Sequence, residues 1–414
     1  MIETIDEKIK RIVHRAYKEC PYYHSLYTRL EVDIDSFSGS EDLEKLPIIT
    51  SLDLCANSQQ FRSKQVVPYR VTSSSGTVGL PKTLYRTSKD TATSVEVMCR
   101  LFELATLKTG DVLWIGQPFD LAHLGYLCLE ACRSMGILAI PGGLSVTDER
   151  MLTLLSMFRP NAIFTSPSRM GQITRYYASQ GEKPWNLTKI LLAGEPCSSE
   201  LSLEIQTFWQ VQAYDLYGSE ETDGLAGACQ AHTGLHFMND QFYLELVEPN
   251  TDRPTTDTRR GEAVITSLYC EGTPLIRYRL GDIIELIPGQ CSCGHGWPRI
   301  KVIGRSEQPI YLYDGIKLYS FQIRSALNTI FPYLKQYQAV VRKSENNSDE
   351  IEIIIPSIDS MTLSETSRLE AMLWSSSLDL AAAKDIGKLR FRFTPNGTML
   401  TTKRGKTPEL MDLR

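Results

Sequence analysis

The strongest constraint on the fold is a regular alternation of short apolar runs with helical stretches, which continues through residues 1–300. The clearest strand patterns are Asp111–Gly116, Ile137–Ile140, Ala162–Thr165 and Lys189–Ala193, and the clearest helical patterns are Ala122–Met135 and Met151–Phe158. Strands that alternate with helices are typical of a layered α/β domain. We therefore predict a large N-terminal α/β domain over residues 1–304.

A second unit is predicted over residues 305–414, where the order of elements changes. A helix at Ser320–Ile330 is followed by a hairpin, then by a helix that begins after Thr362, and finally by a strand at Lys388–Phe393. The spacing of Thr362 and Glu365 matches a capping box. The pattern is typical of a compact α+β domain. The predicted fold class is therefore α/β, with a small α+β domain at the C-terminus.

Charge and composition exclude several classes of protein. The 414 residues carry 44 basic and 49 acidic side chains, a net charge of −5, whereas nucleic-acid binders rely on a basic surface. No uncharged apolar run reaches the ~18 residues that a membrane helix needs. Residues 1–17 predict an amphipathic helix with acidic side chains, unlike an export or transit signal. We therefore expect a cytoplasmic protein without nucleic-acid or membrane partners, in which the ten cysteines are mostly reduced.

The sharpest local signal is a loop rich in serine and glycine between two strand-like runs, Val66–Val71 and Thr83–Thr87. The loop extends from Thr72 to Lys82 with the sequence TSSSGTVGLPK. Hydroxyls, glycine N–H groups and a lysine together form a cradle for phosphate oxygens. The order differs from a Walker loop, because Leu-Pro separates Gly79 from Lys82 and a strand follows. A hairpin turn without a ligand fits the same residues equally well.

Four further segments follow along the chain. They are Gly194-Glu195-Pro196, the DLYGSEE segment from Asp215 to Glu221, the PLIRYRLGD segment from Pro274 to Asp282, and the GRSE segment from Gly304 to Glu307. The first comes directly after a predicted strand, where open α/β sheets hold ligands. The second combines an aromatic ring, a turn glycine and carboxylates. Each segment alone also fits an ordinary loop, a core tyrosine or a charge pair, so the information lies in their order and spacing.

In this order the segments resemble the adenylate-forming superfamily of acyl-CoA synthetases, peptide-synthetase adenylation domains and luciferases. The chain is most similar to its phenylacetate-CoA ligase branch, whose usual motifs are approximately SSGTTGxPT, YGxTE, PLIRYRxxD, CxCG and a terminal GK. All five have counterparts here, between the N-terminal ECPYYHSLY segment and the terminal RGKTPELMDLR. The resemblance implies a large N-terminal adenylation domain and a small, mobile C-terminal domain.

The resemblance also implies a nucleotide site. The loop would hold the β- and γ-phosphates of ATP through Ser74, Ser75, Gly76, Thr77, Gly79 and Lys82. Adenine would be framed by Gly194, Glu195, Pro196, Asp215 and Tyr217, with Gly218 and Ser219 in the same site. The ribose hydroxyls would be held by Asp282 and Arg305.

Three residues have catalytic or hinge roles by the same resemblance. Glu221 would bind Mg²⁺, Lys406 would be the mobile lysine that meets the carboxylate and the α-phosphate, and Glu307 occupies the hinge position. The set fits the chemistry, because a carboxylate that attacks the α-phosphate is already ionised near pH 7. The reaction needs charge neutralisation, in-line positioning and a metal for the leaving pyrophosphate.

Two positions depart from the usual motifs. Val78 replaces the second threonine of the loop, and Glu220 stands where threonine is usual. A carboxylate beside the phosphates would repel them, so we expect Glu220 to reach a basic neighbour or to share the metal. His123 either lines the acid pocket or packs as an ordinary buried histidine.

A structural Zn²⁺ site is predicted from three cysteines and one histidine. Cys291 and Cys293 form a C-x-C-G turn, and Cys229 lies earlier in the chain, followed by His232 and His236. Three thiolates and one imidazole make a closed, tetrahedral site of the structural type, although three unconnected thiols would give the same sequence. Either histidine fits as the fourth ligand, and the predicted set takes His236.

The predicted function is ATP-dependent activation of a carboxylic acid, aromatic by the resemblance, to an acyl-AMP with release of pyrophosphate. The acyl group would then pass to a thiol, either coenzyme A or the phosphopantetheine of an acyl-carrier protein. One alternative is an enzyme of secondary metabolism that stops at the acyl-AMP within a biosynthetic cluster. Another is a degenerate adenylate-binding or regulatory protein. A homodimer is compatible with the sequence.

Overall fold

The computed structural model describes the residues in the following ranges: 3–73, 82–144, 146–181, 183–249, 251–255, 257, 259–305, 310–312, 316–331, 334, 336–343, 348–376, 380–381, 384, 387–400 and 409–414. The chain divides into two compact units. The larger comprises Met1–Leu280 and Ile284–Val302, and the smaller comprises Gly281–Ile283 and Ile303–Arg414. We describe each unit by itself.

The helices of the described residues are α1 (Ile5–Glu19), α2 (Pro21–Arg29), α3 (Ser51–Phe61), α4 (Ser88–Leu104), α5 (Leu124–Met135), α6 (Asp148–Phe158), α7 (Pro167–Ser179), α8 (Ser199–Trp209), α9 (Ser320–Ile330) and α10 (Leu363–Trp374), with a 3-10 helix at Ser40–Lys45. The predicted helix Ser320–Ile330 is present with the same bounds, and the predicted capping box of Thr362 and Glu365 begins α10.

The strands are β1 (Arg70–Ser73), β2 (Thr83–Arg86), β3 (Val112–Ile115), β4 (Leu138–Pro141), β5 (Ala162–Thr165), β6 (Lys189–Leu192), β7 (Ala213–Tyr217), β8 (Ala226–Ala228), β9 (Leu235–Phe237), β10 (Phe242–Val247), β11 (Arg260–Ser267), β12 (Tyr278–Ile287), β13 (Arg299–Arg305), β14 (Ile310–Tyr311), β15 (Lys317–Leu318), β16 (Gln338–Lys343), β17 (Asp349–Ile355), β18 (Leu389–Pro395) and β19 (Leu410–Asp412). The four clearest predicted strands of the large domain are present, with ends shifted by one residue or less from Asp111–Gly116, Ile137–Ile140, Ala162–Thr165 and Lys189–Ala193. The strand-like run Val66–Val71 is instead Arg70–Ser73.

A mixed sheet organises the larger unit. Its strand order is β10-β11-β12-β13-β9-β8-β7-β6-β5-β3-β4. The strands from β7 to β4 run parallel, as expected where helices connect them, whereas β7, β8 and β9 are antiparallel. The parallel strands carry almost wholly apolar side chains, and Ala162–Thr165 is buried along its whole length. Buried parallel strands of this kind have both faces covered, and open α/β sheets bind ligands at the carboxyl ends of their strands.

A second mixed sheet, of order β18-β17-β16-β19, organises the smaller unit. Its apolar face packs with α9 and α10 in one core that includes Ile323, Leu327, Leu369 and Leu373. Two neighbouring residues of β16 hold the chain on either side of residues 401–408. The Gln338 amide exchanges hydrogen bonds with the backbone of Leu400, at 2.6 and 2.9 Å, and the N–H of Ala339 donates to the carbonyl of Glu409 at 2.7 Å.

The predicted fold class, a large α/β unit with a smaller α+β unit, is confirmed. Among the described residues, no helix is both long enough and apolar enough to cross a membrane.

Candidate active site and Cys/His cluster

The predicted adenine-binding residues lie at the carboxyl ends of two neighbouring parallel strands. Leu192, the last residue of β6, pairs with Asp215 of β7. Gly194-Glu195-Pro196 therefore follows one strand, while Asp215 and Tyr217 end the next. Gly194 has φ +93°, a left-handed backbone conformation that favours glycine. This edge is where open α/β sheets bind nucleotides.

A tight turn, residues 218–223, connects β7 to the predicted metal ligand. The N–H groups of Thr222 and Asp223 donate to the carbonyl oxygen of Ser219, at 3.2 and 2.8 Å. A Cβ atom at Gly218 would lie 1.9 Å from the carbonyl oxygen of Asp223, so glycine is required there. We call residues 218–223 the Glu221 turn.

The carboxylate of Glu221 is buried and contacts two side chains from other segments. Lys82, from the end of the predicted phosphate loop, donates to Glu221 Oε1, and the Tyr278 hydroxyl donates to the same oxygen at 2.6 Å. Burial raises the pKa of Glu221, but the charge of Lys82 and hydrogen bonds from Lys82, Tyr278 and Ser219 outweigh it and lower the pKa overall. The carboxylate is therefore held ionised, as a cation ligand must be.

Tyr278 was not predicted as a site residue, although it lies inside the PLIRYRLGD segment. Its neighbours have other roles: Arg277 donates to Glu245 and to the carbonyl of Leu46, and Arg279 pairs with Glu262. Side chains two residues apart share one face of a strand. Tyr278 lies four residues before Asp282, a predicted site residue, and this even spacing could have indicated that Tyr278 also belongs to the site.

Glu220 contacts a basic neighbour, one of the two outcomes expected for it. Its carboxylate lies 3.0 Å from Nδ1 of His123. His123 is 2% exposed, and its Nε2 lies 2.8 Å from Oδ1 of Asp223. His123 thus differs from an ordinary packed histidine, because both ring nitrogens face carboxylates.

Other predicted nucleotide and catalytic residues lie elsewhere. Asp282 and Arg305 belong to the smaller unit, on β12 and β13, where Nε of Arg305 is 3.4 Å from Oδ1 of Asp282. The remaining predicted residues lie outside the described ranges; they are Ser74, Ser75, Gly76, Thr77, Gly79, Glu307 and Lys406.

The larger unit brings the four predicted zinc ligands together. The donor atoms of Cys229, His236, Cys291 and Cys293 all lie within 4.8 Å of one another. The sulfurs of Cys229 and Cys291 are 3.6 Å apart, and Cys293 Sγ is 3.2 Å from Nε2 of His236. His232 instead packs against Tyr214 in a tilted arrangement, with ring centroids 4.8 Å apart. We call the four residues the Cys/His cluster.

The spacing and chemistry of the Cys/His cluster fit a tetrahedral cation. A metal–sulfur distance of ~2.3 Å places two sulfurs of a tetrahedron ~3.8 Å apart, close to the 3.6 Å found between Cys229 and Cys291. Nδ1 of His236 lies 3.2 Å from the carbonyl oxygen of Trp297. A hydrogen bond there leaves Nε2 as the electron-pair donor towards the sulfurs, as in many metal-bound histidines.

Comparisons with known proteins find relatives over most of the chain. Phenylacetate-coenzyme A ligase of Thermus thermophilus is 29% identical over 358 residues, which cover 84% of this chain and 79% of that protein. Phenylacetate-coenzyme A ligase of Escherichia coli K12 is 27% identical over 349 residues, 81% of this chain and 78% of that protein. No family model matches the chain.

A solved structure with the same fold is 2-hydroxyisobutyryl-CoA ligase in an open conformation with 2-HIB-AMP and CoA. Its TM-score is 0.73 at 18% identity, and the match covers 98% of this chain and 90% of that one. An amide bond synthetase from Marinactinospora thermotolerans matches with a TM-score of 0.52 over 82% of this chain and 67% of that one.

The chain belongs to the adenylate-forming superfamily. Within that superfamily it is an AMP-forming ligase of the phenylacetate-CoA ligase-like type.

Proposed function

We propose that the protein activates a carboxylic acid with ATP, releases pyrophosphate, and transfers the acyl group from the acyl-AMP to coenzyme A. The observation that carries this proposal is the meeting of Lys82 and Glu221 beside the carboxyl ends of β6 and β7. It brings the lysine predicted to bind phosphate and the carboxylate predicted to bind Mg²⁺ together at the sheet edge predicted to bind the nucleotide. The relatives that the chain matches over most of its length are named for coenzyme A ligation.

Each residue of the larger unit would act on one part of the nucleotide. Tyr217 and the backbone of residues 194–196 would hold adenine, and Lys82 would pair with the outer phosphates. Glu221 would hold Mg²⁺, which supplies neutralising charge to the leaving pyrophosphate. The attacking carboxylate needs no base, because it is ionised near pH 7. The work of the protein is therefore positioning and charge neutralisation.

The smaller unit would supply the remaining groups. Asp282 and Arg305 would bind the ribose hydroxyls, and Lys406 would meet the substrate carboxylate and the α-phosphate. With Glu307 as the hinge, the domain over residues 305–414 would change position between the two half-reactions, as large backbone changes at one or two residues allow.

We also propose that the Cys/His cluster holds one structural Zn²⁺. All four ligands come from protein side chains, so the site is closed, and its role would be to join the β8–β9 region to the turn at Cys291 and Cys293. Metal binding of this kind contributes to the free energy of folding.

The acid is proposed to be aromatic, by likeness to the phenylacetate-CoA ligases. An apolar pocket distinguishes similar acids by only ~1–3 kcal/mol, so several aryl acids should react. Phosphopantetheine on a carrier protein is the second candidate acceptor, within a cluster for secondary metabolism.

The test is a panel of aryl and aliphatic acids incubated with MgATP, with and without coenzyme A, in which pyrophosphate is measured and products are identified by mass. We expect acyl-AMP without the thiol and an acyl-CoA with it. Acyl-AMP alone under both conditions would identify an enzyme that stops at the adenylate. MgATP binding without pyrophosphate release from any acid would favour the degenerate, regulatory alternative.

Lys406→Ala separates the half-reactions, because the lysine would stabilise charge only in the first transition state. We expect a loss of ~10²–10³ in the adenylation rate, by comparison with lost oxyanion donors. The thioester step from synthetic acyl-AMP should be nearly unchanged. Glu307→Pro should give the opposite pattern, because proline fixes φ at the hinge. Equal damage to both steps in both variants would contradict a two-position mechanism.

A further inference from the structure

The feature that needs an explanation is a second carboxylate directly beside Glu221. Glu220 precedes the predicted metal ligand in the Glu221 turn, and its side chain is only 15% exposed. A second negative charge at this position would oppose the binding of ATP phosphates, since a partly buried charge is weakly screened. The surrounding residues show how this charge is balanced.

His123 lies between two carboxylates of the Glu221 turn. Its Nδ1 is 3.0 Å from Oε1 of Glu220 and its Nε2 is 2.8 Å from Oδ1 of Asp223. An ionised carboxylate can only accept a hydrogen bond, and the contact of Nδ1 with Glu220 has hydrogen-bond geometry. The contact of Nε2 with Asp223 is an ion pair without hydrogen-bond geometry, so a ring protonated on both nitrogens suits the two carboxylates. Burial lowers the pKa of His123, but its contacts with Asp223 and Glu220 outweigh burial and the repulsive charge of Arg70, and raise the pKa overall.

Arg86 supports the same turn from β2. It is fully buried and donates to the carbonyl oxygens of Glu220 and Glu221, at 3.2 and 2.8 Å. Its guanidinium is 3.9 Å from Asp223 Oδ2, to which the Ser94 hydroxyl donates at 2.5 Å. The backbone of the turn is therefore held by Arg86, and its side chains by His123.

The charges of this group balance. Protonated His123 and Arg86 supply two positive charges, and Glu220 and Asp223 supply two negative charges. Asp90, which also lies near Arg86, accepts hydrogen bonds from the backbone N–H groups of Thr87, Glu271 and Gly272. His123 and Arg86 thus balance the charges of Glu220 and Asp223. The charge of Glu221, the third carboxylate of the turn, is balanced separately, by Lys82 or by a bound cation.

We infer that His123 is a positioning residue for adenylation: its ring joins Glu220 to Asp223, and it fixes and neutralises the turn that presents Glu221. The inference rests on the proposed function. It explains how a carboxylate is tolerated at position 220, where threonine is usual in the superfamily, because His123 supplies the opposite charge beside it. His123 acts through Glu221 and need not touch the substrate.

The first test detects the contacts of His123 with Glu220 and Asp223 by NMR and does not depend on enzymatic activity. In protein labelled with ¹⁵N-histidine, the His123 signals, assigned by their loss in His123→Gln, should show both nitrogens protonated at pH 7. Glu220→Thr should leave the contact with Asp223 and change only the Nδ1 signal. A neutral His123 ring, or no response of Nδ1 to the loss of Glu220, would overturn the inference. This result stands even if no acid is activated.

The second test measures the affinity for MgATP by calorimetry in a double-mutant cycle. His123→Gln leaves one uncompensated negative charge, so affinity should fall roughly ten- to thirtyfold, the size expected for a unit charge several ångströms from the phosphates. Glu220→Thr should keep or increase the affinity. The double variant should return to within about threefold of the unmodified protein, because the two residues are coupled.

The matched control is His14→Gln, at a half-buried histidine of α1, which should not change the affinity. If the double variant is as weak as His123→Gln alone, His123 does not act by neutralising Glu220 and the inference is wrong. If the unmodified protein fails to bind MgATP, the proposed function fails. In that case the same double-mutant cycle is followed by the melting temperature. Non-additive effects of His123→Gln and Glu220→Thr would show that the bridge between His123 and Glu220 exists, and additive effects would show that it does not.

Discussion

The Glu221 turn and the Cys/His cluster are two buried polar assemblies of the larger unit, and they are balanced in different ways. In the turn, carboxylates meet protein cations: Lys82 at Glu221, and His123 and Arg86 at Glu220 and Asp223. In the cluster, three sulfurs and one imidazole converge, and all four are electron-pair donors.

The difference follows from the rule that buried polar groups need partners. An assembly whose carboxylates are paired with lysine, arginine or histidine needs no ion from solution in order to fold. When a ligand binds, a metal ion can replace one of these side-chain cations. An assembly of three thiols and one imidazole has no cation of its own and can bind one from solution once the thiols lose their protons. We therefore expect metal at the cluster to affect stability, and changes in the turn to affect nucleotide chemistry.

The largest expected effect is the loss of a cluster ligand. Cys293→Ser should reduce bound zinc from about one per chain to near zero. It should also lower the melting temperature by roughly 10 °C, from ~4 kcal/mol for a lost metal at ~2–4 °C per kcal/mol in a large domain. Elemental analysis and thermal unfolding measure both.

The control for Cys293→Ser is Cys99→Ser, another half-buried cysteine, which should keep its metal. If protein purified without chelator contains no zinc, the proposal that the Cys/His cluster holds zinc is wrong, and so is the contrast drawn here between the two regions.

The next effect is on chemistry. Glu221→Gln should reduce adenylation by ~10²–10³, as for other lost transition-state electrostatic groups, while the zinc content remains unchanged. Pyrophosphate release and elemental analysis of the same sample test both statements. Glu262→Gln is the control, because Glu262 is also buried and paired with an arginine, Arg279. It should lower stability and leave adenylation intact; equal losses in both variants would mean that Glu221 acts only through folding.

The smallest effect should come from Tyr278→Phe. Removing the 2.6 Å hydrogen bond to Glu221 should raise the Mg²⁺ concentration for half-maximal activity about tenfold, since a hydrogen bond to a charged group contributes ~1.5–3 kcal/mol. The maximal rate should recover at high Mg²⁺. Tyr23→Phe, which removes another buried hydroxyl bonded to the carbonyl of Pro274, should change only stability. A rate that Mg²⁺ cannot restore would show that Tyr278 does more than orient Glu221.

Local patterns in the sequence predict the elements well, and the exceptions have local causes. The helix Ser320–Ile330 and the strand Ala162–Thr165 have the predicted bounds. The predicted strand Val66–Val71 is instead Arg70–Ser73, because Pro68 lacks the N–H that a strand ladder requires.

Contacts between distant segments could not be predicted in the same way. The spacing of Cys291 and Cys293 identified half of the cluster, because both ligands lie on one turn. The partners of Glu221 and Glu220, namely Lys82 and His123, come from loops after different strands, and their meeting depends on how the sheet arranges those loops. The roles assigned to Lys406 and to the phosphate loop remain predictions.

The anchoring of the chain on β16 sets a limit on the reach of Lys406. Glu409, three residues later, is held to Ala339, and Leu400, six residues earlier, is held to Gln338. A fully extended chain spans at most ~3.6 Å per residue, so the backbone of Lys406 stays within ~11 Å of Glu409. Leu400 and Glu409, the described residues on either side of this segment, are both bonded to one strand. The covalent chain therefore couples the position of the predicted catalytic lysine to that of the small sheet.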